Sequence, residues 1–327
     1  MSSQTLQLIW PHHGGATAAR GATAISIADR VDVAIGPLAV RTRRLSGGLR
    51  EGVLLVELVA GTTKVFVLPD RGLGIWKVMC GDVELGWQSP VHGPVHPRFV
   101  PLSEPSGLGW LDGFDELVAR CGMVSNGAPD FDDRGRLRHG LHGRIANLPA
   151  HHLDVTLDDS SGTITLSGAV DELAPRDEIA VPDVPTWNRY DAPRGGRREE
   201  VHFARLRADA AGLATAVLVG PDRHKGASLT WRAATLPCFA LWKNQGGLAD
   251  GYVTGLEPAT NYPNPRSHEE SQGRVVPLDP GASARFDLAI ELLDEKQIAA
   301  ARSAAAALAG GVPATIHSQP KPGWSVG

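Results

Sequence analysis

The sequence is poor in cysteine, the residue that forms the disulfides of small secreted domains and binds structural metals. Only 3 of its 327 residues are cysteine, and Cys80, Cys121 and Cys238 are an odd number at wide spacings. They match neither a zinc-binding pattern nor a disulfide framework. We therefore expect a reducing, cytoplasmic setting.

Long apolar runs and an excess of one charge are also absent. No run approaches the ~18 apolar residues that a membrane-spanning helix needs. The first 15 residues lack the basic start and apolar stretch of a signal peptide. The 36 acidic and 32 basic residues give a net charge of −4, and the basic residues are scattered. We expect no membrane partner and no nucleic-acid partner.

Three common catalytic signatures are missing as well. The chain contains no G-x-S-x-G elbow, no Walker loop and no G-x-G-x-x-G before a helix. These absences argue against a serine-hydrolase elbow and against nucleotide sites of the common types.

Glycine, proline and short β-branched runs are abundant. The 38 Gly and 24 Pro residues provide turns between strand-like runs, which lie at 53–59, 63–68, 75–79, 83–87, 153–157, 163–167, 201–206, 214–219, 228–232, 238–242 and 285–292. One helix is predicted from Asp294 to Leu308, with acidic residues at its start and glycines after its end. The pattern is that of an all-β protein with a short C-terminal helix.

We expect one domain. Residues 1–30 are weakly patterned, 31–293 form a single β domain, 294–309 form the helix and 310–327 a loosely ordered tail. Inside the domain, residues 173–198 are polar, rich in proline and without a strand pattern. Long loops of this kind are often functional.

Glu257 is the first candidate for catalysis. A strand-like run leads into it, and Pro258 and Pro263 stiffen the loop that follows. A carboxylate held at a strand end suits a general base. The alternative is a surface glutamate in a turn.

His142 is the second candidate. It lies between Gly140 and Gly143, which let the backbone approach a ligand closely, and Arg144 follows it. The alternative is an exposed loop histidine. His139 and His142 do not have the spacing of a helical zinc site, so no metal is expected.

Three further positions suit polar ligands. The planar fork of Arg71 can bind hydroxyls or an anion, although a surface turn would also explain it. Asp112 follows Trp110, a combination common in sugar sites and also found where an acid caps a buried ring. Lys243 follows Trp242 at a strand end, where rim packing is the alternative.

The chain resembles the aldose 1-epimerase (galactose mutarotase-like) superfamily, and within it the aldose-epimerase-like branch DUF4432. The resemblance extends from about residue 50 to 290. It is carried by the segments 68–75 (LPDRGLGI), 86–90 (GWQSP), 107–114 (GLGWLDGF), 141–149 (LHGRIANLP), 236–239 (LPCF), 241–244 (LWKN) and 255–266 (GLEPATNYPNPR).

This resemblance implies a galactose mutarotase-like β-supersandwich of large antiparallel sheets with the site in a concave groove. It implies a small-molecule carbohydrate as partner and no cofactor, and it leaves a homodimer open. A base takes the proton of the anomeric hydroxyl while an acid protonates the ring oxygen. The ring opens, the aldehyde face rotates, and the ring closes.

The resemblance also implies roles for individual residues. Glu257 matches the base, and His142 matches a histidine that binds or polarises sugar oxygens. Arg71 matches a substrate-binding arginine, and Glu200 or His202 matches an acidic or polar sugar ligand. Together with the positions chosen on other grounds, the expected substrate-binding residues are Arg71, His96, Asp112, Arg144, Glu200, His202 and Lys243.

One departure stands out. Relatives carry a further block of strands ending in a Tyr-His-x-Asn-type segment, whose histidine is the expected general acid. Here that block is missing, and no histidine lies between His152 and His202. His202, His139 and His96 are the open substitutes.

Three functions therefore remain. The first is a mutarotase or epimerase-like enzyme. The second is a sugar-binding protein that has lost catalysis. The third, more distant, is an isomerase or lyase helper that uses the same enolisable carbonyl.

Overall fold

The computed structural model describes residues 3–9, 23–24, 31–172, 190, 192–310 and 321–325. The chain divides into two compact units, Met1–Glu178 and Ile179–Gly327. The boundary falls in the predicted long loop 173–198, of which residues 173–189 and 191 lie outside the described residues. The single domain expected over 31–293 stays a prediction.

Twelve strands are described in the first unit. They are β1 (Ser3–Ile9), β2 (Thr23–Ala24), β3 (Asp32–Ile35), β4 (Leu38–Arg44), β5 (Leu54–Ala60), β6 (Thr63–Leu68), β7 (Gly74–Cys80), β8 (Val83–Leu85), β9 (Asp130–Phe131), β10 (Leu137–His139), β11 (His152–Asp158) and β12 (Thr163–Ala169). Strands β3 to β8 form an antiparallel meander in chain order. A second sheet has the order β12-β11-β1-β2, and β9 pairs with β10.

The core of this unit lies between its two larger sheets. Alternate residues of β11 are buried, as the period-2 apolar pattern predicts, whereas β4 and β5 each begin with three consecutive buried residues. The cluster is Leu6, Leu8, Val31, Leu38, Val40, Val56, Leu58, Val67, Leu153, Val155 and Leu157. Burying each large side chain stabilises the fold by roughly 1.5–3 kcal/mol.

The N-terminus corrects one expectation. Residues 3–9 were predicted to be weakly structured, yet they form β1, which pairs with β11. Leu6 and Leu8 alternate with Gln7, and both leucines are buried in the core. Two apolar positions are too few for a sequence pattern to indicate a strand. Residues 1–2, 10–22 and 25–30 lie outside the described part of the chain.

Between β8 and β11 the chain is mostly irregular. Besides β9 and β10, the described regular elements here are the short 3₁₀ turns Pro97–Phe99, Gly109–Gly113 and Ile145–Asn147. Two more 3₁₀ turns, Gly48–Arg50 and Pro69–Arg71, connect strands of the meander. Most of the predicted site residues of this unit therefore lie outside regular strands.

The described strands of the second unit form two three-stranded sheets. They are β13 (Glu200–Ala204), β14 (Leu213–Val219), β15 (Gly226–Arg232), β16 (Cys238–Asn244), β17 (Val253–Ala259) and β18 (Leu288–Leu293). The sheet orders are β13-β16-β17 and β14-β15-β18, all antiparallel. Trp231 stacks on Phe239 with ring centroids 5.5 Å apart and joins the two sheets in one core.

The helices are α1 (Arg266–Ser271) and α2 (Glu295–Ala309). The structure confirms the predicted C-terminal helix, whereas α1, with six residues, was not predicted. Asp294 Oδ1 accepts from Gln297 N at 2.8 Å, and Gln297 Oε1 accepts from Asp294 N at 2.9 Å. This capping box satisfies two backbone N–H groups at the start of the helix, and Gly310 ends the helix with φ 59°.

Part of the predicted loose tail has defined contacts. Residues 321–325 are described, and the Trp324 ring lies 4.9 Å from that of Tyr262. Residues 311–320 fall outside the described ranges. Among the residues with described positions, none belongs to a helix long and apolar enough to cross a membrane.

Candidate functional site

The first unit is organised around the side chain of Arg71, which is fully buried. Its guanidinium donates to the carbonyls of Ala146 at 2.9 Å, Val95 at 3.0 Å and Gly113 at 2.8 Å. Nη2 also lies 2.6 Å from Oε1 of Glu116, a contact aligned as an ion pair rather than as a hydrogen bond. The charge is thus matched and most of its donors are satisfied, as a buried arginine requires.

These contacts bear on the predicted sugar ligands. Val95 precedes His96, Gly113 follows Asp112, and Ala146 lies just after Arg144. The guanidinium therefore fixes the backbone of three segments that carry candidate ligands. This position favours a supporting role for Arg71 over the direct sugar contact that the sequence predicts.

His142 is held in a left-handed backbone conformation. Its φ is 55° and that of Gly143 is 70°. A Cβ added at Gly143 would overlap the carbonyl oxygen of Ser125, so the sequence needs glycine there. His142 N donates to the carbonyl of Gly127 at 2.7 Å. A non-glycine residue in this region costs about 1–3 kcal/mol, and such strain is concentrated at functional sites.

The imidazole of His142 has a fixed tautomer. Nδ1 lies 2.9 Å from the carbonyl oxygen of Asn126. A carbonyl can only accept, so Nδ1 carries the hydrogen. Nε2 is then an acceptor in the neutral ring and a donor in the protonated ring. The ring packs edge-on against Trp110, with centroids 4.8 Å apart and planes at 76°.

The other candidates of this unit differ in exposure. His96 Nδ1 accepts from Arg98 N at 3.2 Å and caps a 3₁₀ turn. Burial lowers the pKa of His96, Asp70 opposes this effect, and Arg98 adds to it, so the ring is a poor proton donor near neutral pH. Asp112 and Arg144 are exposed.

Several buried polar groups near His142 in the sequence have no hydrogen-bond partner among the described residues. Both carboxylate oxygens of Asp130 are in this state, as are both amide atoms of Asn147, the Ser125 hydroxyl and Trp110 Nε1. Unpaired buried groups are rare in folded proteins and indicate positions that water or a polar ligand satisfies. Sequence patterns gave no signal for Asp130, Ser125 or Asn147.

Beside Arg71, two adjacent carboxyl groups are buried. Burial, together with the neighbouring Glu116, raises the pKa of Asp115 to about 7, although Arg71 and a hydrogen bond from Trp76 oppose the shift. Asp115 Oδ2 accepts from Trp76 Nε1 at 3.0 Å. Burial also raises the pKa of Glu116, against the effect of Arg71.

In the second unit, three predicted ligands form one cluster. Glu200 Oε2 lies 3.3 Å from His202 Nε2 and 3.4 Å from Lys243 Nζ, and Oε1 accepts from Arg197 Nη2 at 3.1 Å. Lys243 is fully buried, and its Nζ lies 5.0 Å from the ring centre of Tyr190. Glu200 and Lys243 are direct cross-strand partners on β13 and β16.

Glu257 lies on the other face of the same sheet. It is inside β17, not in a loop after a strand as the sequence predicts. The register pairs Phe203 with Ala240 and Ala240 with Glu257. Direct cross-strand partners share a face, and successive residues alternate. Glu257 therefore shares its face with Phe203, whereas Glu200, His202 and Lys243 share the face of the core residues Leu241 and Phe239.

Small residues surround Glu257 on its face. Its cross-strand neighbour is Ala240, and Gly255 precedes it on the same face of β17. A Cβ added at Gly255 would overlap Oε1 of Glu257, so the carboxylate lies back along its own strand. The glycine therefore determines where the carboxylate sits.

A buried carboxylate fixes the loop after β17. Glu269 accepts from Tyr262 N at 3.1 Å and from Asn264 Nδ2 at 2.6 Å, and Arg274 pairs with it at 2.5 Å and 2.6 Å. Tyr262 stacks on Phe203 at 4.8 Å. The aromatic residues thus continue the face that carries Glu257. The sequence motif around Tyr262 was recognised, but its partners Glu269 and Trp324 were not.

The described residues contain no group of three or more His, Cys, Asp or Glu side chains suited to a metal ion. The expectation of a reaction without cofactor or metal stays a prediction. No disulfide joins any of the three cysteines, all of which lie in the described part of the chain.

The raised pKa of Asp115 predicts a pH dependence of stability. The folded-state pKa of about 7 lies above the ordinary 3.8, so between these values the folded chain binds more protons than the unfolded chain. The contribution of Asp115 is complete at low pH and is lost as the pH rises from about 4 to about 7. Asp115→Asn should remove this loss, so its free energy of unfolding should exceed that of the wild type by the largest amount above pH 7.

Urea unfolding at several pH values measures this difference. Asp133→Asn, an exposed position in the same unit, is the matched control and should leave the pH profile unchanged. If Asp115→Asn and wild type had parallel profiles from pH 4 to 8, the assignment of a raised pKa would be wrong.

Comparisons with known proteins complete the description. The family described as "Domain of unknown function (DUF4432)" matches residues 50–174 and 169–292. The crystal structure of a "putative aldose 1-epimerase" from Klebsiella pneumoniae subsp. pneumoniae MGH 78578 is similar, with a TM-score of 0.81 and 27% identity over 95% of this chain and 97% of that one. Little of that structure therefore lacks a counterpart in this chain, so the comparison with it gives no sign of the missing block that the sequence predicts.

A search of the curated proteins gives no match. The similarity to the Klebsiella structure extends over nearly the whole of both chains. The matched family segments together span residues 50–292, about three quarters of the sequence. The chain belongs to the DUF4432 family and has the β-rich fold of the aldose epimerase-like superfamily.

Proposed function

We propose that this protein is a carbohydrate mutarotase or epimerase-like enzyme that interconverts the anomers of an aldose or aldose derivative. In this reaction Glu257 takes the proton of the anomeric hydroxyl, and an acid protonates the ring oxygen. The bond between the anomeric carbon and the ring oxygen breaks, which gives the open aldehyde. Rotation and the reverse steps close the other anomer, with no net oxidation and no co-reactant.

The position of Glu257 is the observation that carries the proposal. Its carboxylate is fixed by a strand, with Ala240 and Gly255 as small neighbours on the same face. A base on a rigid element keeps its geometry better than one on a loop. The stacked rings of Phe203 and Tyr262 continue this face, and aromatic rings are suitable surfaces for the apolar face of a sugar.

The register also narrows the choice of the acid. His202 lies on the face opposite to Glu257, so the sheet separates the two groups, and they cannot contact one ring from the same side. His96 is a cap with a lowered pKa. His142 was expected to bind sugar oxygens rather than to act as the acid, and we add it to the candidates and prefer it, because its Nε2 donates when the ring is protonated. His139, which is buried, is the remaining alternative.

The first test is Glu257→Gln. Without the base, exchange between anomers should fall by about 10²–10⁴-fold, the usual range for a lost general base, while sugar binding is roughly kept. NMR exchange spectroscopy across a panel of aldoses measures both anomers directly. Glu270→Gln, an exposed neighbour in α1, should keep full activity. An active Glu257→Gln would refute the base assignment.

The second test is Gly255→Ala. The added Cβ collides only with the flexible end of Glu257, so stability should change little while the carboxylate moves. A displacement of about 1 Å can cost on the order of 10²-fold in rate, so kcat should fall with a smaller effect on KM. Gly195→Ala, where a Cβ meets nothing within 4 Å, is the control. Equal activity of both variants would contradict the assigned position of the carboxylate.

The third test is His142→Asn. Asparagine tolerates positive φ, and its amide can donate to the Asn126 carbonyl as Nδ1 does, so the variant keeps this hydrogen bond while it removes Nε2 and the ring contact with Trp110. If His142 is the acid, kcat should fall by about 10²-fold or more, and unfolding should change little. His139→Asn, measured alongside, should retain more activity. If His139→Asn lost more activity than His142→Asn, the acid would be His139.

A wild-type protein that binds sugars without speeding anomer exchange would favour the alternative function, a catalytically impaired sugar-binding protein. The observation behind this alternative is the missing block and its histidine. Analysis of the products separates both functions from an isomerase or lyase helper, since only the latter changes the constitution of the sugar.

A further inference from the structure

Strand β18 is an edge of the sheet β14-β15-β18. It pairs with β15 from Leu288 to Leu293 without a bulge. On its other side, no described strand follows in this sheet. Such an edge presents unpaired backbone N–H and C=O groups that another strand can use.

The side chains of this edge are apolar and exposed. Leu288 and Ile290 are the cross-strand partners of Trp231 and Leu229, which belong to or pack against the core. Yet Leu288 is 51% exposed, Ile290 44%, and Phe286, two residues before Leu288, 46%. The face of the sheet that forms the core at β15 is therefore exposed to solvent at β18. Large exposed apolar patches mark interaction sites.

Apart from the charge of Glu291, the described residues show few of the usual protections of an edge strand. Proteins blunt such edges with lysine, proline, bulges or covering segments. Residues 286–293 contain no lysine and no proline, and the pairing with β15 is regular. Only the C-terminal end is covered, because Leu293 is buried. The exposed apolar set, Phe286, Leu288 and Ile290, is centred on Leu288.

We propose that a second copy of this chain covers the edge, pairing its own β18 antiparallel about a two-fold axis at Leu288. In this register Leu288 lies opposite the partner's Leu288, and Phe286 lies opposite the partner's Ile290. Because a two-fold axis through the paired edges keeps side chains on their faces, the apolar stripes of both copies become continuous. The interface is isologous, the commonest form in homo-oligomers.

Charge complementarity selects this register over its neighbour. With the axis at Leu288, Arg285 lies opposite the partner's Glu291, and this pair occurs twice. With the axis at Ala289, Asp287 would lie opposite the partner's Glu291, and like charges directly opposite are destabilising. Arg285 and Asp287 are exposed, and Nη2 of Arg285 lies 2.6 Å from Oδ1 of Asp287. The guanidinium thus lies beside the residue that directly precedes β18.

Disulfide trapping tests the register. In a Cys121→Ser background, which removes the exposed native thiol, Leu288→Cys places two thiols about 5 Å apart across the axis, counted between Cβ atoms. It should form a covalent dimer on mild oxidation. Ile290→Cys is the matched control, because its two copies lie four residues apart, about 13 Å. This variant should therefore run as a monomer on a non-reducing gel.

Light scattering tests the assembly without a cross-link. The wild type should have about twice its 34.6 kDa chain mass. Arg285→Glu and Glu291→Arg should each raise the dimer dissociation constant about tenfold, and the double variant should restore it. Leu248→Lys, at an exposed apolar residue elsewhere in the unit, should leave it unchanged.

Each other outcome overturns the proposal. A wild-type monomer at high concentration would mean that another occupant, such as residues 173–189 or 311–320, covers the edge. A dimer that traps through Ile290→Cys and not through Leu288→Cys would place the axis elsewhere. A further variant, Leu288→Lys, places two like charges opposite each other at the proposed axis and should also weaken the dimer. A dimer insensitive to this variant and to both charge reversals would use another surface.

Discussion

The geometry of the first unit depends on one buried cation. Arg71 binds the carbonyls of Val95, Gly113 and Ala146 and pairs with Glu116, and these segments have few strand hydrogen bonds of their own. Removing one partner of a buried pair typically costs about 3–5 kcal/mol, because the other charge is left unmatched. The loops that carry His96, Asp112 and His142 are therefore held by an interaction that no sugar contact could replace.

In the second unit, the position of the candidate base depends on the register of the strands rather than on a buried cation. A slip of one residue between β16 and β17 would move Glu257 to the core face, so the pairing of Ala240 with Glu257 is a condition for any role of this carboxylate. Glu269 strengthens the condition, since it ties the loop after β17 to Arg274. Each unit thus contains a partly buried catalytic candidate and an ion pair whose carboxylate is buried, Arg71–Glu116 in the first and Arg274–Glu269 in the second.

The sequence predicted the local features well and the long-range ones poorly. Period-2 runs indicated most of the strands, and the cap at Asp294 with Gly310 indicated α2, because these signals lie within a few residues. Nothing local could show that Arg71 reaches a carbonyl 75 residues away. The same reason explains why Glu257 was predicted in a loop: Pro258 suggested a strand end, yet it lies within β17 opposite Phe239. The placement of β1 and the partners of Glu269 were missed likewise.

The absence of a histidine between His152 and His202 has a physical consequence for the proposed reaction. Ring opening needs a proton removed from one oxygen and a proton delivered to another, so an enzyme with a single suitable imidazole must use it both to orient the sugar and to donate. The Nδ1–H···O contact of His142 with Asn126 suits this double task, since it fixes the ring in either protonation state and directs every change of charge to Nε2. If His142 is the acid of the proposed reaction, its strained backbone holds the imidazole in the conformation that this contact with Asn126 requires.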